Sequence, residues 1–238
     1  MCVLMPVKGG KMNLASDYIL SQQELNNLLA EADFYYGSIE RVQLIRIMQV
    51  VTGCLDMYSR VCAMRVDLRF PQTNWKGEPD IPICFPRVDS QVITRFFESL
   101  KSQLRAEHLR KGRRGSPSLP EYIWVREQDE SPLPHYHVVL LFHKDVYAFL
   151  GNYTNHEADN MATRIQRAWC SALSLSYPDY SSLVHFPANP VYVFDRCTAA
   201  IYSTTYHKFL LRIAYLAKVR TKVTGTRNFG CSQGTASR

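Results

Sequence analysis

No Cys-x-x-Cys pair occurs anywhere in this 238-residue chain, although it holds seven cysteines. Zinc-ribbon and dithiol redox chemistry are therefore not indicated, and an odd number of thiols argues against a disulfide framework. The cysteines read as reduced, mostly small apolar fillers of a cytoplasmic protein. No apolar run approaches the length of a transmembrane span, so no membrane partner is expected. The N-terminal stretch MCVLMPVKGGKMN lacks the apolar centre of a secretory signal. A Walker A sequence is also missing. Acidic residues are absent after Asp195, where eight basic ones remain.

That last absence gives the charge a direction. The net charge is +7. Residues 1–60 are close to neutral, with 5 Lys/Arg against 6 Asp/Glu, whereas residues 61–238 carry 23 against 15. A segment that basic is expected to meet a polyanion.

The patterning divides the chain into three parts: an N-terminal helical accessory region at 1–60, a main domain of mixed strands and helices at 61–223 and a Gly-rich tail at 224–238. In the first part, Ser21 and Glu24 form a capping box ahead of helical apolar spacing that continues, after a break at Gly37-Ser38, to about residue 60. Met64, Val66, Leu68 and Phe70 alternate with Arg65, Asp67 and Arg69, which predicts a strand with the charged set on the face away from the core. A loop rich in Pro and charge follows to Pro86, then a helix from Asp89 or Ser90 to about His108. The basic stretch 109–120 reads as a phosphate-touching loop or a solvated linker. A hairpin is expected with strands 121–127 and 135–143. A helix capped by Asp159 carries Trp169, read as core in preference to a base-stacking platform. Short strands at 184–186 and 191–194 precede a last helix from about Thr204 to Lys222.

Two motifs carry chemistry. His135 and His137 are two apart on a strand, so both imidazoles point to one face and can grip one divalent metal. Glu127, at the end of the preceding strand, is delivered to the same face if the two strands hairpin. Two His and one carboxylate leave metal positions open for substrate. Asp67 is the reserve third ligand; its other reading is to hold Arg65 or Arg69. In the last helix, Arg212, Tyr215, Lys218 and Lys222 share a face by spacing. A tyrosine among cations suits attack on a phosphodiester, because nearby lysines favour the phenolate. Tyr206 is the strongest competitor for that role and Tyr202 a weaker one.

The order Arg-Val-Asp-Leu-Arg, Pro-His-Tyr-His, Tyr-Leu-Ala-Lys resembles the HUH endonuclease superfamily of rolling-circle initiators and relaxases. The phrases MRVDLRF, PHYHVVLLF, LRIAYLAKVRTK and RNFGCSQ are similar to the YagK/YfjJ C-terminal (inovirus gene-product-2) family of phage and prophage replication proteins. The resemblance implies an α+β fold of HUH/Rep-like, split-βαβ type. Its mostly antiparallel sheet would have about five strands, with helices on one face and N-terminal helices added. It implies nicking of single-stranded DNA at a replication origin, with Tyr215 as nucleophile assisted by Lys218. His135, His137 and Glu127 would hold Mg²⁺ or Mn²⁺, and a host helicase would be a partner. Arg65, Arg69, Arg212, Lys222 and Arg227 would contact DNA. The alternative is a non-catalytic prophage DNA-binding regulator that keeps the fold.

Overall fold

A computed structural model describes residues 18–71, 86–128, 133–222 and 227–233. The expected Pro-rich loop to Pro86 and most of the Gly-rich tail lie outside the described residues.

Two helices open the chain, α1 (Gln22–Tyr36) and α2 (Arg41–Met57). The Ser21–Glu24 capping box starts α1 as expected. Next come β1 (Arg60–Arg69), α3 (Val92–Arg110), β2 (Glu121–Glu127), β3 (His135–His143) and α4 (Met161–Leu173). Asn160, not Asp159, caps α4, through its side-chain oxygen to the Thr163 N–H. Asp159, one residue early, instead pairs with Arg110 and Arg164. The chain continues through β4 (Val184–His185), β5 (Val191–Asp195), α5 (Arg196–Ala200), α6 (Thr204–Ala214) and β6 (Phe229–Cys231).

The strands form one six-stranded antiparallel sheet, ordered β4-β1-β3-β2-β6, with β5 also paired to β1 beyond β4. Strands β1 to β4 and helices α3 and α4 follow the split-βαβ order, so the α+β class holds with one strand more than expected. The extra strand, β6, comes from the Gly-rich tail. Its Gly230 lies against the Trp124 indole, where a Cβ would come within 2.6 Å of the ring. Gly230→Ala is expected to push β6 off β2 and to cost about 1–3 kcal/mol in thermal unfolding; an unchanged Tm would remove β6 from the stable fold.

Helices cover both faces of the sheet, which corrects the expectation of one. Alternation explains the division. Met64, Val66, Leu68 and Phe70 pack with Val138, Leu140 and Phe142 under α3 and α4. Trp169 is fully buried there, and its indole N–H donates to the Arg69 carbonyl at 2.7 Å. On the opposite face, Val61, Ala63, Ile123, Val125, Val139 and Leu141 form a second core under α1, α2 and α6. No helix among the described residues is long and apolar enough to cross a membrane.

Candidate metal and nucleophile site

The second face changes character halfway along each strand. In β1 the apolar Val61 and Ala63 give way to Arg65, Asp67 and Arg69. β3 runs the other way, so its polar His135 and His137 come first and Val139 and Leu141 follow. β2 ends in Glu127. The register brings these polar halves together: Asp67 opposite His137, Arg69 opposite His135, and Glu127 opposite His135 from the other side. One half of the face is thus core, and the other is a pocket of ionisable groups.

The two His Nε2 atoms lie 3.1 Å apart. Glu127 Oε2 is 3.5 Å from His137 Nε2. One ligand atom from each of Glu127, His135 and His137 falls within 4.8 Å of the others. The three residues could hold one metal ion. Glu127 is 1% exposed, and its Oε1 has no hydrogen-bond partner among the described residues. A buried carboxylate oxygen left open in this way is costly unless a cation or water meets it, so the donor set fits a divalent ion.

Asp67 is not placed as the third ligand. Its Oδ1 accepts from His137 Nδ1 at 2.5 Å and its Oδ2 from His185 at 3.2 Å, while Arg65 stands 3.7 Å away. Fixing the proton on Nδ1 leaves His137 Nε2 as the nitrogen that can face a metal. Asp67→Asn is expected to weaken Mn²⁺ binding about 10–100-fold in calorimetry; an unchanged affinity would show that the carboxylate does not orient the ring.

Burial opposes the charge on His137, but the hydrogen bonds it donates to Asp67 and Glu127 outweigh it and raise its pKa. Burial, together with the His137 charge, lowers the pKa of His135. Without a metal, a proton on His137 Nε2 can therefore be shared with a neutral His135. Glu127 and Asp67 are also buried, but their cationic and hydrogen-bonding neighbours, His137 first, hold both down to about 2.

The helix that was to run to Lys222 stops at Ala214. A 3₁₀ turn, Tyr215–Ala217, follows, and Lys218 is already extended. The cause is a clasp from the N-terminal helices. Ile39 bridges to Lys218, the Glu40 N–H donates to the Ala217 carbonyl at 2.8 Å, and the Val219 N–H donates to Ser38 at 2.9 Å. The turn nevertheless delivers its side chains to the Glu127–His135–His137 group. The Tyr215 hydroxyl donates to Glu127 Oε2 at 3.0 Å, and Lys218 Nζ donates to that hydroxyl at 2.9 Å. Lys218, 6% exposed, also lies 3.3 Å from Glu127. The Arg65 guanidinium sits 5.0 Å over the Tyr215 ring. Burial raises the pKa of Tyr215, with Lys218 pulling it down and Glu127 pushing it up.

The remaining predicted residues divide: Arg69, Arg212 and Lys222 lie near this group, whereas Tyr206 and Arg227 do not. Tyr206 is 0% exposed, its hydroxyl lacks a partner among the described residues, and burial pushes its pKa upward. It is a core residue. Lys222 is not on a helix; it bonds Gln43 of α2, and burial lowers its pKa to about 8. Arg212 is half-buried on α6. Arg69 lines a cleft of about 470 Å³ beside the histidines, with Ser182 and Leu183 on its far wall. Arg227 does not border the metal cluster; it lies 5.3 Å over Trp124, on the α3 face. His185 was missed. Its signal was the alternation in Val184-His185-Phe186, readable only once β4 is known to flank β1.

The comparisons with known proteins fit this arrangement. A family profile described as the YagK/YfjJ C-terminal domain matches residues 21–232. The chain belongs to the YagK/YfjJ C-terminal domain family. It is 41% identical over 193 residues to the uncharacterized protein YagK of Escherichia coli K12, covering 79% of this chain and 90% of that one. With the uncharacterized protein YfjJ of the same strain it shares 36% identity over 209 residues, 85% of this chain and 99% of the relative. No solved structure matches. For this YagK/YfjJ family member, the matched span begins at the cap of α1 and ends just beyond β6. It thus includes the clasp as well as the sheet.

Proposed function

We propose that this protein is a metal-dependent, HUH-type single-strand DNA endonuclease that starts rolling-circle replication of a phage or prophage. The observation that carries this reading is the Tyr215 hydroxyl, hydrogen-bonded at once to Glu127 of the metal group and to Lys218. A tyrosine used only for packing has no need of a buried lysine and a buried carboxylate on its oxygen.

His135, His137 and Glu127 would hold Mg²⁺ or Mn²⁺, which when bound polarises the scissile phosphate and draws negative charge away from Glu127. The residues of the chain do the rest. Glu127 and Lys218 aim the Tyr215 oxygen. With Glu127 neutralised, its upward push on the phenol is removed, and Lys218 favours the phenolate against burial. Tyr215 gives up its proton to water as its Oη bonds to phosphorus; the P–O3′ bond breaks, and the 3′ oxygen takes a proton from water and leaves as a hydroxyl. The product is a 5′-phosphotyrosine that keeps the bond energy for rejoining. Arg65 supports the strand near the phosphate, and Arg69 supports it in the cleft beside His135. The absence of a Walker A sequence leaves unwinding to a host helicase.

The test is incubation of the protein with a labelled single-stranded oligonucleotide of its own origin and Mn²⁺. A protein–DNA adduct that survives denaturation supports the reading. DNA binding without adduct or cleavage over a range of origin sequences would replace it with the non-catalytic regulator.

A further inference from the structure

An unbroken line of aromatic rings runs from the surface at the end of α1 into the metal cluster. Phe34 and Tyr35 meet edge to face with centroids 5.2 Å apart, and Tyr35 and Tyr36 follow at 6.3 Å. Tyr36 lies 5.4 Å from Tyr215, and Tyr215 lies 5.2 Å from His137. The outer rings are open to solvent, Phe34 at 82% and Tyr35 at 61% exposure. The helix does not need them for packing, since its buried residues are Leu28 and Ala32. Adjacent large aromatics left on a surface mark a place where something docks.

What docks is indicated by charge. A cleft of about 500 Å³ beside these rings is walled by Tyr35, Tyr36, Gly37, Ser38, Val219 and Arg220. Arg220 is exposed, and no acidic residue lines the cleft. The nearest carboxylates of α1 are engaged elsewhere: Asp33 accepts the Ile39 N–H, and Glu31 pairs with His207. Exposed rings beside cations suit an unpaired nucleic-acid strand, whose bases stack and whose phosphates meet the arginine.

We propose that the Phe34–Tyr36 end of α1 and the Val219–Arg220 cleft form a stacking track, seating unpaired bases of the DNA strand that flanks the phosphate at the metal site. The strand's identity rests on the function proposed above; the track itself rests on the rings and the cleft. Every base has a π-face, so the track holds strand without reading sequence. It also gives the N-terminal helices a task beyond covering the sheet.

The test measures binding of the full chain to a fluorescent oligothymidylate of about 12 nucleotides, a length within ordinary single-strand site sizes. EDTA is present, so no cleavage occurs. Phe34→Ala and Tyr35→Ala are each expected to weaken binding roughly tenfold. Phe149→Ala removes an equally open ring, 80% exposed, in the loop after β3, and should leave affinity unchanged. Equal affinity in wild type and all three variants overturns the track, as does an equal loss in Phe149→Ala. If Phe34→Ala and Tyr35→Ala instead convert a dimer to a monomer without changing oligonucleotide affinity, the rings belong to a second copy and the proposal is wrong. An adduct-forming enzyme with unaltered affinities refutes the track alone. A protein that forms no adduct but shows the selective loss keeps the track and refutes the nicking. Absence of any oligonucleotide binding refutes both.

Discussion

Tyr215→Phe is expected to abolish the covalent protein–DNA adduct, lowering its rate of formation by about a thousandfold or more, as loss of a nucleophile does elsewhere. DNA affinity should hardly change, because the ring still packs against Tyr36 and His137. One hydroxyl is removed, and with it the hydrogen bonds to Glu127 and Lys218. The matched comparison is Tyr206→Phe. That hydroxyl is buried without a partner among the described residues, so its removal should leave the adduct intact and cost little stability. An adduct that persists in Tyr215→Phe and disappears in Tyr206→Phe would reverse the assignment. Lys218→Ala should slow the reaction and shift its pH profile upward, since the phenol would lose the neighbour that favours its ionised form.

His137→Asn should lose more than about a hundredfold in Mn²⁺ affinity, beyond what loss of an outer partner such as Asp67 costs. In the wild type, the pH dependence carries a sign of its own. The folded His137 pKa is raised by Asp67 and Glu127 despite burial. Metal must displace that proton, so affinity should climb with pH until the raised pKa is passed. Stability without metal should move oppositely. A raised folded pKa contributes stability fully present below the unfolded value near 6.5, and this is lost as pH rises through the folded value. Lys222, lowered to about 8 by burial, works the other way, because the cost of burying its charge is relieved as pH rises past that value. The difference in Tm between wild type and His137→Asn, scanned from about pH 5.5 to 9 in EDTA, isolates the histidine. A difference that stays flat across that range would mean that His137 is not held protonated by its two carboxylates.

Much of the sheet was legible because strand alternation is a local property. The alternation of Met64–Phe70 placed Arg65, Asp67 and Arg69 on one face before any partner strand was known. The hairpin strands 121–127 and 135–143 put Glu127 opposite His135, as the metal reading required. What could not be read depends on distant partners. Nothing in Tyr215-Leu216-Ala217 forbids a helix; it ends because Ser38, Ile39 and Glu40 capture the backbone from across the fold. The role of Asp67 required β3 on one side of β1 and β4 on the other. The Gly-rich tail shows no period because a three-residue strand is too short to have one. Its glycine is set by the Trp124 ring instead. Arg227 follows that strand's edge to the far face, away from Arg65 and Arg69, with which the resemblance had grouped it.

The clasp between residues 38–40 and 217–219 has a consequence for how activity can be switched. The sheet holds Glu127 and both histidines, whereas the Tyr215 oxygen is set by a turn whose backbone is anchored to residues 38–40. In the proposed reaction, ion capture and strand attack are thus mechanically separable. If the function proposed above holds, a partner that loosens only the 38–40 clasp would displace Tyr215 while leaving paired the strands that carry Glu127, His135 and His137.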